Sequence, residues 1–201
     1  MSALDDLQEA RKNQSGLPLK TTESYPITPN YRFELAHNGE KFISKYGVYY
    51  IFNSTGARST LSDYFGRIDL DAIINGNQVG LTFEHQLHAV KKWGFSAYAE
   101  GAYLFTKLRT RDYLSFVFPS NYTRDEKYIF NSNGFTIESG VQIQYSLKYL
   151  RAKVNLGYLL NFSEGLYLYE DKDQKLMFNN EEVNPEWSGL RLGLQVDFLF
   201  S

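Results

Sequence analysis

Three histidines and a set of charged residues are the side chains of this sequence that could do chemistry. The histidines are His37, His85 and His88, and the 201 residues include no cysteine. His85 and His88 are three positions apart, which in a β-strand puts them on opposite faces, so one strand cannot bring both to a metal ion. Glu84 and His85 could serve a lipid hydrolase with a serine from another strand, but no nucleophile-elbow motif is present. We therefore expect no catalytic residue, metal site or cofactor, and keep a lipid-modifying enzyme as an alternative.

An acidic stretch between Ser163 and Trp187 is a second candidate site. Asp171-Lys172-Asp173 is similar to the start of a calcium loop, but the later glycine and the terminal glutamate of an EF-hand are missing. We interpret the stretch as a solvated surface loop. The whole chain has a net charge of −2, which provides no electrostatic footprint for nucleic acid, so we expect no nucleic-acid partner.

The elements that must position these residues are β-strands, because apolar residues recur at every second position after Asn30. In Phe135–Leu147 the odd positions are mostly apolar and the even positions are polar or glycine. Weaker copies of the pattern precede this stretch and clear copies follow it. The alternation predicts eight strands, at about 31–35, 46–52, 64–74, 79–87, 93–106, 135–147, 152–162 and 190–200.

The predicted connections are short at one end of the strands and long at the other. Asn75-Gly76 is the signal of a type I′ turn and predicts a hairpin between the third and fourth strands. Two long segments, Leu108–Asn133 and Ser163–Trp187, lie together at the opposite end. They contain aromatic pieces that we interpret as strand extensions; if they are separate strands, the count rises to ten. Their candidate residues for contact with a partner are Tyr113, Phe116, Phe118, Tyr167, Tyr169 and Phe178.

The polar face of the strands carries glycines and charges of both signs, which suits a closed interior where small residues fit and unlike charges pair. Aromatic residues cluster at strand ends, as in the girdles of membrane barrels. We therefore predict an all-β, antiparallel, up-and-down transmembrane barrel. The alternative is a soluble lipocalin-like carrier with its apolar face inside. The predicted polar network of the lumen comprises Arg67, Asp69, Glu84, Glu100, Glu138, Lys153, Arg191 and Asp197.

Residues 30–201 resemble the small eight-stranded outer-membrane β-barrel proteins of Gram-negative bacteria. The end of the chain, Leu194–Ser201, is similar to the terminal strand signal of that family, although Ser201 follows the final aromatic residue. The resemblance implies an outer-membrane location, contact with the bilayer and its lipids, and recognition by the barrel assembly machinery. It also implies a structural or binding role, exercised here through the two long extracellular loops, with a possible protein partner there.

Residues 1–29 are predicted to be a separate N-terminal arm. Ser2-Ala3-Leu4-Asp5 is a variant of the capping box and predicts a short helix, and prolines and a glycine follow it. Met1 to Ala10 lacks the basic and apolar regions of a signal peptide, so we expect a mature form without one. For a barrel of this kind we expect the arm to be periplasmic.

Overall fold

Long antiparallel strands account for most of the chain. The structure is a computed structural model, and it describes residues 2–14, 19–23, 30–38, 44–117, 122–178, 180–185 and 187–198. The elements are α1 (Ser2–Gln14), β1 (Lys20–Glu23), β2 (Tyr31–Asn38), β3 (Ser44–Ser62), β4 (Gly66–Val90), β5 (Trp93–Phe116), β6 (Tyr122–Ser146), β7 (Leu150–Ser163), β8 (Tyr167–Leu168), β9 (Met177–Phe178), β10 (Glu181–Glu182) and β11 (Gly189–Phe198).

The main sheet is antiparallel with an up-and-down order, which confirms the predicted all-β class. Its neighbours run β2-β3-β4-β5-β6-β7-β11. β1 pairs with the same edge of β3 as β2 does, through Lys20 and Thr60, so β1 continues the position of β2 along that edge. In the described part of the chain, the eight strands of four or more residues therefore occupy seven positions across the sheet. The two-residue strand β8 pairs with β6 beyond the end of β7.

The predicted turn at Asn75-Gly76 is wrong. β4 runs without a break from Gly66 to Val90, and Gly76 pairs with Asn53 on one side and Thr106 on the other. The hairpin lies instead at 63–65, where the Asp63 carboxylate accepts hydrogen bonds from two backbone amides. The predicted third and fourth strands are thus one strand, and β1 restores the count to eight.

The first of the two predicted long loops is also strand. Tyr113 pairs with Asp125 and Phe116 with Tyr122, so residues 108–133 belong to the β5–β6 hairpin. The interpretation as strand extensions is confirmed for this segment. It is wrong for the second segment, where the aromatic pieces form the separate two-residue strands β8 and β9. The main sheet has eight strands of four or more residues in the described part of the chain, so the ten-strand alternative is wrong. Phe118 lies outside the described residues.

The two edges of the sheet approach each other without pairing. Within the described ranges, β2 and β11 share no ladder, so the sheet is not closed. β2 occupies the first and β11 the seventh position of the sheet. Because each strand is antiparallel to the next, the first and seventh strands run in the same direction. The sheet nevertheless curls, since Lys45 near the start of β3 lies 3.7 Å from Asp197 near the end of β11.

The strands differ in environment between their two ends. We call the part that contains the short turns at 91–92 and 147–149 the band region. There the outward side chains are apolar and exposed, and they include Phe33, Leu35, Val48, Leu81, Phe83, Ile137, Val141, Ile143, Val154, Leu156, Leu160, Leu192, Leu194 and Val196. The inward side chains of the same strands are polar, such as Thr82, Glu84, Gln142 and Lys153, and these are buried.

In the other part, which we call the extension, both faces change character. β3 to β6 continue into it, and their buried inward side chains combine an apolar cluster, which includes Ala57, Ala72, Ile74 and Leu108, with uncharged polar residues such as Ser59, Thr106 and Ser132. Their outward side chains are mostly polar or charged, such as Asp71, Lys107, Arg109, Arg111 and Lys127. The change occurs at a row of outward register partners, Phe52, Asn77, Phe105 and Asn133, which we call the boundary row.

Two segments cover the apolar inner face of the extension. Leu19, next to β1, packs against Ile68 and Leu70, and Gln8 of α1 donates a hydrogen bond to the backbone of Leu70. Residues 164–178, 180–185 and 187, which we call the cap, bring Leu166 and Val183 onto Ala72 and Leu108. The predicted N-terminal helix is present, and it lies at the extension end, on the same side as the two long segments.

None of the helical residues that the structure describes forms a helix of the length and apolar character needed to cross a membrane.

Candidate functional site

Ion pairs fill the interior of the band region, because alternate residues of every long strand point inward there. Lys153 of β7 lies 3.0 Å from Glu84 of β4 and 3.1 Å from Asp197 of β11. Lys45 of β3 contacts Asp197 and also pairs with Glu34 of β2. A continuous chain of opposite charges therefore links the two free edges of the sheet through its centre.

A second group of interior charges centres on Arg32 of β2. Its guanidinium lies 2.6 Å from Glu100 of β5 and 2.7 Å from Glu34, and it sits 4.3 Å above the ring centroid of Tyr49. The hydroxyl of Thr82 donates a 3.0 Å hydrogen bond to Glu100. Such bidentate, charge-assisted contacts fix the geometry of both partners. Arg32 therefore links the edge strand β2 to β5 across the interior.

Six of the eight predicted lumen residues lie on this interior face. Glu84, Glu100, Lys153 and Asp197 belong to the ion-pair groups described above. Glu138 accepts a 2.7 Å hydrogen bond from the Tyr98 hydroxyl, and Arg191 donates to the Trp187 backbone oxygen.

Arg67 and Asp69 are separated from that set. They form a 2.7 Å ion pair with each other, but they lie on the outward face of the extension. They occupy odd positions of β4, whereas Glu84 occupies an even position, and the strand is uninterrupted between them.

The predicted network lacks five residues that complete the interior: Arg32, Glu34, Lys45, Tyr49 and Tyr98. Arg32 and Glu34 alternate with the apolar residues of β2 and so belong to the expected polar face. Lys45 alternates correctly with Tyr46 and Val48 and could have been found from that pattern. Tyr49 and Tyr98 are inward aromatics, and they were overlooked because aromatic residues were all assigned to the outer face.

One small cavity lies within the interior. The space among Arg32, Glu84, Glu100, Glu138 and Lys153 amounts to about 30 Å³, enough for roughly two water molecules. The ion pairs around it can hold the sheet in its curled form.

The histidines and the acidic stretch do not assemble into a cluster. His85 is exposed on the outer face, in register with Ser44 and Ala97, and His37 stacks near Tyr46 with ring centroids 5.4 Å apart. Among the described residues, no three histidine, aspartate or glutamate side chains are grouped as a metal ion would need.

The predicted partner residues lie in two places. Phe116 packs into the cluster of Leu19, Ile68 and Leu70, and Tyr113 lies beside Arg111 on the neighbouring outer position. Tyr167 and Tyr169 lie in the cap, where the Tyr167 hydroxyl accepts a 3.0 Å hydrogen bond from Asn133. Phe178 lies in β9, and its side chain is outside the described part of the chain.

A groove of about 430 Å³ follows the boundary row on the outer surface. Its sides carry asparagines, two cations and two phenylalanines: Phe52, Asn75, Asn77, Phe105, Lys107, Arg109, Asn131 and Asn133. The sequence did not reveal this groove, because its asparagines had been assigned to a turn and to a loop, whereas Phe52 and Phe105 had been assigned to strands.

Comparisons of the chain with protein-family models, with curated proteins and with solved structures gave no match. The function is therefore argued from the geometry of the interior, the two faces and the groove.

Proposed function

We propose that this chain is an outer-membrane β-barrel protein of a Gram-negative bacterium, with a structural or binding role. In this proposal the band region lies in the bilayer, β2 and β11 close the sheet, and the extension with its cap projects outside the cell. The observation that carries the proposal is the change of both faces at the boundary row: exposed apolar side chains give way to polar ones outside, and ion pairs give way to an uncharged, partly apolar core inside.

A single aqueous environment does not account for that change. In water, an exposed apolar surface as continuous as that of the band region is rare outside contact sites. A lipocalin-like carrier would have its apolar side chains inside, but ion pairs occupy that space here. Lipid around the band region and water around the extension would favour the side chains found on each face.

The dimensions and the aromatic residues fit a bilayer. The outward residues from Trp93 to Phe105 span roughly 40 Å along β5 at about 3.4 Å per residue. At a tilt near 45° this is about 28 Å across the membrane, close to the ~25 Å apolar band of such barrels. The Trp93 and Tyr145 rings lie 4.9 Å apart at one limit of the band, and the Tyr103 and Phe135 rings lie 5.0 Å apart near the other.

The closure, the location and the partners follow from the same reasoning. Unpaired strand edges are not tolerated in hydrocarbon, so β2 and β11 must be satisfied there. Short turns at one end and long projections at the other match the periplasmic and extracellular sides of outer-membrane barrels. The bilayer, outer-membrane lipids and the barrel assembly machinery are the proposed partners, and the extension is the surface for any protein partner.

Two substitutions on the outer face of β6 test the proposal. Val141 and Ile129 are 40% and 37% exposed, but Val141 lies mid-band and Ile129 lies in the extension. Val141→Arg should lower the free energy of unfolding in lipid vesicles by about 2–4 kcal/mol, because it puts a charge near the bilayer midplane. Ile129→Arg should change it by less than about 0.5 kcal/mol, because a surface substitution in water is nearly neutral.

The comparison is made by denaturant unfolding of both variants after reconstitution. Equal, small effects at the two positions would contradict the membrane proposal, as would a wild-type protein that stays monodisperse in buffer without detergent.

A further inference from the structure

Among the residues that the structure describes, Lys107 and Arg109 on the outer face of the extension have no acidic partner, whereas their neighbours do. Arg58 pairs with Asp71, and Arg67 pairs with Asp69. Arg111 and Lys127 both pair with Asp125, at 2.7 and 3.3 Å.

By contrast, within the described part of the chain no carboxylate lies within 4.0 Å of the charged nitrogens of Lys107 or Arg109. These two residues occupy successive outward positions of β5, immediately beyond Phe105 in the boundary row. Both contribute to the groove that runs along this row.

The asparagines of the groove present hydrogen-bond donors. The Asn77 amide oxygen accepts a 2.6 Å hydrogen bond from the Tyr50 hydroxyl, and the Asn75 amide oxygen accepts one of 2.7 Å from Ser54. These contacts direct the oxygens of Asn75 and Asn77 toward the hydroxyls, and the amide nitrogens of the same two side chains, which can only donate, are donors for a ligand. Cations and amide donors together select an anion.

The groove lies where the band region meets the extension, and this position limits the kind of anion that it can bind. Phe52 and Phe105 form its apolar side, and the exposed apolar surface of the band region continues from them. A ligand that satisfies both sides has an anionic head and an apolar tail. Lys107 also lies 5.6 Å from the Tyr169 ring centroid, so the cap contributes to the position of this cation.

We propose that the groove binds the phosphate group of an anionic lipid, with Lys107 and Arg109 on the phosphate and the acyl chains along Phe52 and Phe105. This inference rests on the proposed membrane location and adds a defined lipid site to it. The outward-facing groove would take the lipid from the leaflet next to the extension.

A matched pair of double variants tests the site. K107Q/R109Q removes the two unpaired cations, and R111Q/K127Q removes the same charge from the same face at paired positions. The protein in neutral detergent is titrated with short-chain phosphatidic acid, phosphatidylcholine and inorganic phosphate, and binding is followed by native mass spectrometry. We expect K107Q/R109Q to weaken phosphatidic acid binding at least tenfold, because each charge-assisted hydrogen bond contributes on that scale. R111Q/K127Q should stay within twofold of wild type.

Several outcomes would overturn the inference. An equal loss in both double variants would indicate general surface charge, and no loss in either would exclude the groove. Equal affinity for inorganic phosphate and for phosphatidic acid would identify a free-anion site. Insertion of the wild-type protein into phosphatidylcholine vesicles is measured separately, so a failure of the membrane proposal and a failure of the lipid site give different results.

Discussion

At the scale of single residues, Lys153 shows how much the fold relies on paired interior charges. Its side chain is 2% exposed and lies between Glu84 and Asp197. Removing one partner of a buried ion pair leaves an uncompensated charge and costs about 3–5 kcal/mol. Lys153→Met should therefore lower the free energy of unfolding by about 3 kcal/mol or more, measured by urea titration in lipid vesicles.

The control for that substitution is Lys127→Met. Lys127 pairs with Asp125 at the surface and is 64% exposed, and exposed ion pairs contribute at most about 1 kcal/mol. The hydrogen bond from Arg111 lowers the pKa of Asp125, so the carboxylate stays charged in the variant. A loss at Lys153 no larger than that at Lys127 would mean that water reaches the interior charges.

Most of the residues that face the interior could be predicted from the sequence, but their ion-pair partners could not. Alternation identifies Glu84, Lys153 and Asp197 as members of one face. It cannot show that they meet, because they lie on β4, β7 and β11, and only the curl of the sheet brings them together. Arg67 and Asp69 were misplaced because alternation alone does not reveal which face is inside at each level.

At the scale of elements, β4 shows why the Asn75-Gly76 turn was wrongly predicted. Its apolar positions are mostly even up to Ile74 and odd from Val79 to Leu87. A switch of the apolar residues from even to odd positions is expected at a turn or a bulge. It also arises along one unbroken strand when apolar side chains point inward in one part and outward in the other. Gly76 serves close packing here, since a Cβ at this position would lie 3.1 Å from the Trp187 ring.

The cap provides a prediction at the same scale. Leu166 is fully buried against Ala72 and Leu108, and backbone hydrogen bonds link it to Val183 and Leu176. Leu166→Ala should cost about 2–5 kcal/mol, the usual range for a buried leucine. Since Met177 in the cap is half exposed, Met177→Ala should cost less than about 1 kcal/mol.

Amide hydrogen exchange distinguishes a local from a global effect of Leu166→Ala. We expect faster exchange in residues 164–187 and unchanged protection in the part of β6 that lies in the band region. Equal acceleration in both would show that the cap and the band region unfold as one unit.

At the scale of the whole molecule, seven strand positions set the way in which the barrel can close. β2 and β11 run in the same direction, so a direct seam between them must be a parallel pair. Most bacterial outer-membrane barrels have an even number of strands and an antiparallel seam, although a 19-stranded barrel is known in mitochondria. The seam is expected along the free edge of β11, the strand in which Leu194 is 84% exposed.

Disulfide cross-linking tests the parallel seam, because the chain has no cysteine of its own. Phe33→Cys is combined in turn with Leu192→Cys, Leu194→Cys and Val196→Cys, and the oxidised protein is analysed in lipid vesicles. We expect one combination to give an intramolecular disulfide. Moving the first cysteine to Leu35 should then shift its partner two residues toward the end of β11.

Tyr50→Cys with Val79→Cys is the positive control, since these residues are register partners in β3 and β4. A shift of the partner toward the start of β11 would indicate antiparallel pairing. Absence of any cross-link within one chain, with the control formed, would contradict direct closure by β2 and β11.

The odd number of strand positions also separates the two ends of the described chain. α1 lies against the extension, whereas β11 finishes beside the short turns. An epitope attached ahead of α1 and another attached after β11 would then face different compartments. Antibody staining of intact cells would detect the first and miss the second, so one doubly tagged protein would report its own orientation.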